Sequence, residues 1–153
     1  MIDINLLEFQ SLLKIRNGAG VKEIFDVVRK KWLRLQPEEW VRQLIIMYLS
    51  GQMNYPLNHF SIEKIVQKGL RKGRWDILIL GPDMKPFMLI ECKAPNVAIS
   101  EKVVYQACVY NKEVKAPFIC LSNGLKSCCL QVNTINNNLT FLSHFPLYPY
   151  NQN

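Results

Sequence analysis

The spacing of apolar residues changes along the chain, and each pattern predicts a different element of secondary structure. From Pro37 to about Ser50 apolar residues recur every three or four positions, which predicts an amphipathic helix ended by Gly51. From Phe60 onward the period shortens to two, which is typical of strands. We predict strands over Phe60–Gln67, Arg74–Leu80 and Phe87–Lys93, with a basic turn over Gly69–Gly73.

The segments on either side of this region complete an α/β pattern. The turn sequence Asn17–Gly20 separates two short mixed runs and predicts an N-terminal β-hairpin, followed by a basic linker over Arg29–Arg34. Ser100 can cap a second helix that ends near Lys112. Further strands are predicted over Pro117–Ser122, Leu125–Val132 and Leu139–Leu142. This order of elements predicts an α/β sheet with helices packed on it.

The composition predicts a single globular domain over residues 1–153. A chain of 153 residues that is 49% hydrophobic can form one core and is too short for two. We divide it into an N-terminal hairpin and basic linker (1–35), a core (37–132) and an irregular tail (143–153). No apolar run approaches the ~18 residues of a membrane helix, so we expect a cytoplasmic protein without membrane association. The five cysteines lack paired spacing and are expected to be buried apolar side chains, neither disulfides nor zinc ligands.

The charge of the chain favours a polyanionic partner. Nineteen Lys and Arg residues against twelve Asp and Glu residues give a formal net charge of +7, and no charged residue follows Lys126. Nucleic acid is the first candidate and an anionic membrane surface the second. The alternative is that the charge has no specific partner.

Two carboxylates are predicted to face each other at the end of the central hairpin. The loop Gly81–Pro86 joins the predicted strands Arg74–Leu80 and Phe87–Lys93. Centring a hairpin on this loop pairs Leu80 with Phe87, Leu78 with Leu89, and Asp76 with Glu91. Directly opposed side chains have Cβ atoms only ~5 Å apart, so these carboxylates repel and a hard divalent cation between them would relieve the repulsion. Asp76→Asn is therefore expected to stabilise the cation-free fold. The alternative is that Lys93 simply pairs with a carboxylate on a solvated edge.

The same residues resemble the PD-(D/E)xK nuclease signature. Asp76 matches its first acidic residue, and Glu91-Cys92-Lys93 matches the (D/E)xK element. More closely, the chain resembles the N-terminal nuclease domain of type I restriction enzyme R (HsdR) subunits. The matching stretches are Pro37–Gln43, Arg74–Asp76, Leu89–Pro95, Gln106–Asn111 and Ser122–Gly124.

The resemblance implies a fold, a cofactor and a reaction. The fold is an α/β restriction-endonuclease-like mixed β-sheet flanked by α-helices, and the reaction is metal-dependent hydrolysis of phosphodiester bonds in DNA. Asp76 and Glu91 would bind Mg²⁺, with Mn²⁺ able to substitute, and the backbone carbonyl of Cys92 would be a third ligand. Lys93 would orient the attacking water and stabilise charge on the phosphate.

Three further catalytic residues follow from the resemblance. Gln106 and Tyr110 match the Gln-x-x-x-Tyr motif of the RecB-like nucleases, and residues four apart share a helix face. The alternative is that Tyr110 packs in the core and Gln106 is a surface residue. Family members also carry a glutamate four residues before an arginine on the first helix, which selects Glu38 and Arg42. Glu39 is the alternative, but a helical wheel places Glu38 beside the apolar stripe and Glu39 nearly opposite it.

The expected partners are DNA and other chains of a restriction system. Phosphate contacts are expected from Arg42 and from residues in or beside the basic turn, namely Lys68, Arg71, Lys72 and Arg74. No Gly-x-x-x-x-Gly-Lys-(Ser/Thr) loop is present, so the chain is either a stand-alone domain or has its motor and specificity partners on separate chains. A homodimer is compatible with this interpretation, because a monomer can cut only one strand per encounter. The alternative function is a non-cleaving DNA-binding or assembly module of the same fold.

Overall fold

A computed structural model describes residues 1–2, 4–18, 20–62, 65–68, 71–133 and 138–150, with backbone only for 65–68 and 71–74. The two α-helices are α1 (Pro37–Met47) and α2 (Glu101–Val114). The strands up to the central hairpin are β1 (Ile15–Gly18), β2 (Val21–Asp26), β3 (Lys31–Arg34), β4 (Phe60–Ile62), β5 (Ile65–Lys68) and β6 (Arg71–Arg74). The remaining strands are β7 (Ile77–Leu80), β8 (Pro86–Cys92), β9 (Phe118–Ser122), β10 (Ser127–Val132) and β11 (Leu139–Leu142).

A six-stranded mixed sheet forms the centre of the described fold. Its strand order is β11-β10-β9-β8-β7-β4, and only β8 and β9 pair in parallel. The connection between these two strands contains α2, as a parallel pair requires. Helix α1 contributes Val41, Leu44 and Ile45 to the larger of two apolar clusters, and α2 contributes Ala107 to the smaller one. The predicted α/β mixed sheet with flanking helices is confirmed.

The register of the central hairpin agrees with the predicted one where the strands are regular. Leu78 lies opposite Leu89, which is the predicted pairing, and Ile77 lies opposite Ile90. Leu80 lies opposite Pro86, whereas Phe87 was predicted, because the register shifts by one residue between Ile79 and Leu80. A bulge of this kind inserts an extra residue on one strand near the loop. It leaves the far end of the hairpin, where Asp76 and Glu91 lie, in the predicted register.

The predicted N-terminal hairpin is confirmed and is part of a larger sheet. β1 and β2 pair antiparallel, with Gly18 opposite Val21, and β3 joins them in the order β1-β2-β3. A 3-10 helix over Leu6–Leu12 precedes β1. The basic segment Arg29–Arg34 was predicted as a linker, but most of it is strand β3, with Trp32 opposite Phe25. The high charge of this segment concealed the alternation of its side chains.

The predicted basic turn between residues 69 and 73 is shorter than expected. β5 and β6 pair as a separate two-stranded sheet, with Lys68 opposite Arg71, so residues 71–73 belong to a strand. Residues 69 and 70, and the side chains of Lys68, Arg71, Lys72 and Arg74, lie outside the described part of the structure. Their predicted phosphate contacts stay predictions.

Two cysteines form a disulfide, contrary to the expectation from their spacing. Cys120 on β9 and Cys129 on β10 are directly opposed in the antiparallel pair, with Cα atoms 4.2 Å apart and both side chains buried. Cys92, Cys108 and Cys128 are free thiols. The prediction failed because sequence spacing does not show which cysteines a sheet places opposite each other.

The tail packs against the body of the protein although residues 145–150 form no helix or strand. Phe145 and Tyr148 are buried in the larger apolar cluster, and the Tyr55 hydroxyl donates a hydrogen bond to the backbone carbonyl of Pro146. Among the described residues, no helix is both long enough and apolar enough to cross a membrane.

Candidate active site

Asp76 is a buried carboxylate held by two donors from different elements. It lies immediately before β7 and is 8% exposed. Its Oδ1 atom accepts a hydrogen bond from Arg42 Nη2 on α1 at 2.9 Å, and its Oδ2 atom accepts one from the backbone N–H of Cys92 on β8 at 2.7 Å. The second bond fixes the end of the central hairpin, because it joins the residue before β7 to the end of β8.

Glu91 and Lys93 form an ion pair beside Asp76. Lys93 Nζ lies 2.7 Å from Glu91 Oε1, and the two side chains are 23% and 30% exposed. Burial raises the pKa of Glu91, and the negative charge of Asp76 raises it further. Burial acts to lower the pKa of Lys93, but the hydrogen bond and charge of Glu91 outweigh it and leave that pKa raised. Lys93 is therefore a cation throughout the neutral pH range.

An open cleft of about 400 Å³ brings the predicted residues of β8 and α2 together. Its polar lining residues include Glu91, Lys93, Gln106 and Tyr110. Gln106 is exposed and Tyr110 is half-buried, and both side chains border this cleft. Their catalytic roles stay predictions.

The two candidate glutamates on α1 have different surroundings, and the helical-wheel argument was wrong about them. Glu39 is 7% exposed and accepts hydrogen bonds from Arg42 and from Gln43, whereas Glu38 is exposed. The wheel failed because α1 is covered on two sides, by the central sheet and by the N-terminal sheet. Glu38 nevertheless lies close enough to the cleft for its charge to raise the pKa values of Glu91 and Lys93.

Arg42 occupies a position that disagrees with its predicted contact to DNA. It is 3% exposed, and its guanidinium pairs with Glu39 and Asp76. Two carboxylates neutralise its charge inside the protein, so a surface phosphate contact is not the role it has in this structure. It holds Asp76 in place.

The ion pairs continue from Glu39 into the N-terminal sheet. Arg29 Nη2 lies 3.1 Å from Glu39 Oε2, and Arg29 Nε lies 2.6 Å from Asp26 Oδ2. Asp26 is fully buried at the end of β2 and also accepts backbone N–H bonds from Val28 and Arg29. Charges of alternating sign thus connect β2 to Asp76. Sequence reasoning did not identify Asp26 or Arg29 as part of this set, and it kept Glu39 only as the alternative to Glu38. The local signals were the spacings of three between Asp26 and Arg29 and between Glu39 and Arg42.

The donor chemistry of the site fits a hard divalent cation. Asp76 and Glu91 supply carboxylate oxygens and Cys92 a backbone carbonyl, which are the ligand types that Mg²⁺ takes. The thiol of Cys92 does not contribute, because burial raises its pKa well above the ordinary value and keeps it protonated. In the described residues, no three His, Cys, Asp or Glu side chains are grouped closely enough to hold a metal by themselves. A bound cation would therefore complete its coordination with water and substrate oxygens, as Mg²⁺ commonly does.

The chain is similar to known proteins in sequence and in fold. A family model described as the type I restriction enzyme R protein N terminus matches residues 37–146. The chain is also similar to the solved structure of a fragment assigned to an HsdR subunit of a type I restriction enzyme from Vibrio vulnificus YJ016. The two are 18% identical with a TM-score of 0.51, and the match covers 73% of this chain and 24% of that one. The chain thus spans about a quarter of that structure, and the similarity shows a shared fold. No curated protein matches the chain.

Proposed function

The chain belongs to the family of type I restriction enzyme R protein N termini, and on that basis we propose that it is a Mg²⁺-dependent DNA endonuclease domain. The observation that supports this most directly is the convergence of Glu91, Lys93, Gln106 and Tyr110 on one cleft. Asp76 lies near enough to Glu91 to raise its pKa. These are the positions that the PD-(D/E)xK resemblance selects.

Each side chain has a role that its surroundings support. Asp76 is fixed by Arg42 and the Cys92 N–H, so it would present its remaining lone pairs to a cation together with Glu91. A bound Mg²⁺ would supply positive charge for the phosphate and lower the pKa of a bound water. Lys93 is a cation at neutral pH and can donate a proton in a hydrogen bond to a phosphate oxygen or to the attacking water. The Gln106 amide can hold either a water or a phosphate oxygen.

A plasmid-nicking experiment tests this function. Supercoiled plasmid is incubated with the wild-type protein and Mg²⁺ or Mn²⁺, with and without EDTA, and the same is done with Lys93→Met and with Lys112→Met, an exposed lysine on the last turn of α2. We expect nicking that requires the divalent ion and falls about 10²-fold in Lys93→Met, the size of one lost transition-state contact. Lys112→Met should nick like the wild type. Nicking that survives EDTA, or that is equal in both variants, would contradict the proposed site.

One observation favours a second candidate, a DNA-binding or assembly module that does not cleave. Both oxygens of Asp76 already accept hydrogen bonds from the protein, so its charge has a partner without any metal. A module of this kind would bind DNA and show no nicking with either ion. In both cases the partners that we propose are DNA and the motor and specificity chains of a restriction system.

A further inference from the structure

The outward side of the N-terminal sheet carries an ordered set of cations and aromatic rings. Successive side chains of a strand point to opposite faces, so one face contains Lys14, Arg16, Glu23, Phe25, Trp32 and Arg34, which we call the outer face. In the sheet, Glu23 lies between Arg16 and Arg34, and Phe25 lies opposite Trp32. The backbone N–H of Phe25 donates to the carbonyl of Lys14, which places Lys14 beside Phe25. The opposite face packs inward, with Ile24 and Asp26 fully buried.

Arg16 lies over an aromatic ring. Its guanidinium carbon lies 4.2 Å from the centroid of the Trp32 ring, and its Nε atom lies 2.7 Å from Glu23 Oε2. These two contacts hold the guanidinium in place while half of the side-chain surface stays exposed to solvent. Lys14 lies over Phe25 in a similar but looser way, with Nζ 5.7 Å from the ring centroid. Two cations of the outer face, Arg16 and Lys14, are therefore positioned over aromatic rings before any ligand arrives.

The charge of this region suits a phosphate chain. Residues 14–34 contain seven Lys or Arg residues and two acidic residues, Glu23 and Asp26. Both acids are already paired, Glu23 with Arg16 and Asp26 with Arg29. On the outer face, Lys14 and Arg34 are exposed and Arg16 is half exposed. A strand of nucleic acid on this face would meet these three cations.

We propose that the outer face binds single-stranded DNA beside the nuclease site. A base can stack on the exposed face of the Arg16 guanidinium, which is itself stacked on Trp32, while Lys14 and Arg34 contact phosphates. Aromatic and arginine planes set among cations are the usual platform for single strands. Duplex DNA keeps its bases paired and would use only the charges. The inference rests on the proposed function solely in taking DNA as the substrate.

The outer face is attached rigidly to the site. Asp26, on the inner side of β2, pairs with Arg29, and Arg29 pairs with Glu39, which is bound to Arg42 and through it to Asp76. A strand bound on one side of β2 is thus fixed relative to the cleft by ion pairs on the other side. The three strands that form the platform precede residue 37, where the match to the family begins.

Binding measurements in EDTA test the proposal without cleavage. The anisotropy of a labelled oligothymidine of ~20 nucleotides, long enough for one platform, is compared with that of a duplex of equal length. The variants are Arg16→Lys, which keeps the charge and removes the planar group, and Trp32→Leu, which removes the ring beneath it. Lys85→Gln is the matched control, because Lys85 is an exposed lysine in the loop between β7 and β8. Thermal melts show that each variant is folded.

We expect Arg16→Lys and Trp32→Leu each to weaken single-strand binding about tenfold and to leave duplex binding nearly unchanged. Lys85→Gln should bind both DNAs like the wild type. Equal losses for single-stranded and duplex DNA would overturn the stacking platform and leave only a charged surface. Unchanged binding in both variants would overturn the proposal altogether. These results do not depend on nicking: a protein that fails to nick can still show the selective loss, and one that nicks can lack it.

Discussion

The guanidinium of Arg42 lies 2.9 Å from the carboxylate of Asp76, and both side chains are largely buried. This pair changes how the two acids of the site should be understood. Each of the two carboxylates is paired with its own cation, Asp76 with Arg42 and Glu91 with Lys93. The repulsion that the sequence predicts is present, since Asp76 raises the pKa of Glu91, and the hydrogen bond and charge of Lys93 act against it.

A double-mutant cycle on Arg42 and Asp76 measures this pair. Arg42→Met leaves two buried carboxylates with one fewer cation, and Asp76→Asn leaves Arg42 with less negative charge around it. We expect each variant to lower the free energy of unfolding by about 3 kcal/mol, the usual result of removing one partner of a buried ion pair. The loss of unfolding free energy in the double variant should be smaller than the sum of the two single losses by at least ~1 kcal/mol, because contacting residues are coupled. Urea denaturation at neutral pH without divalent ions provides these energies.

The same cycle decides between the structure and the sequence-based expectation. From two opposed carboxylates alone, Asp76→Asn should stabilise the cation-free protein. The bonds from Arg42 and the Cys92 N–H predict the opposite sign. An Asp76→Asn protein that is more stable than the wild type would show that the Arg42 pair is absent in solution.

The central hairpin shows what the sequence could predict and what it could not. Pairing Leu78 with Leu89 needed only a loop length and a period of two, both of which are local properties. The shift at Leu80 depends on how the loop closes, and the disulfide between Cys120 and Cys129 depends on the pairing of two strands. The pairing of Arg42 with Asp76 joins residues 34 positions apart. Contacts of that kind come from the packing of α1 on the sheet, which no spacing rule encodes.

The disulfide predicts a thiol count that distinguishes it from five free cysteines. Cys120 and Cys129 are paired, and Cys92, Cys108 and Cys128 are free. Protein purified without reductant, unfolded in guanidinium and alkylated should carry three labels by mass spectrometry, and five after reduction. The variant Cys120→Ala should carry four under both conditions. Five labels in the unreduced wild type would show that the cysteines are only buried apolar side chains, as their spacing predicts.

The raised pKa of Glu91 predicts a pH-dependent cost to stability. Burial and the charge of Asp76 make the folded protein bind a proton at Glu91 more tightly than the unfolded chain does. The stabilising contribution of Glu91 protonation to the free energy of unfolding is therefore fully present below the unfolded pKa of ~4.3. It is lost as the pH rises through the higher pKa of the folded state. Glu91→Gln removes the titration, so its stability relative to wild type should increase from pH 4 toward neutral pH. Urea denaturation across that range, without divalent ions, measures the difference.

The stability of Glu91→Gln relative to the wild type should not stay constant or fall as the pH rises. Either result would contradict the burial of the Glu91 carboxylate beside Asp76. Added Mg²⁺ provides an internal check on the result. If the cation binds at Glu91, it should stabilise the wild type more than the variant at neutral pH, because only the wild type offers a charged oxygen ligand there.

The variants Glu38→Gln and Glu39→Gln distinguish a residue that acts at the metal from one that stabilises the fold around it. Glu39→Gln removes the charge that binds Arg42 and Arg29 in a buried network, so it should lower the free energy of unfolding by about 3 kcal/mol. Glu38→Gln changes an exposed residue and should alter stability by less than ~0.5 kcal/mol. Because the charge of Glu38 reaches Glu91 and Lys93, its removal should instead raise the Mg²⁺ concentration needed for half-maximal nicking.

Urea denaturation and a Mg²⁺ titration of plasmid nicking, applied to both variants, separate the two effects. A Glu39→Gln protein of wild-type stability with a raised Mg²⁺ requirement would make Glu39 the residue that acts at the metal, and Glu38 a surface side chain.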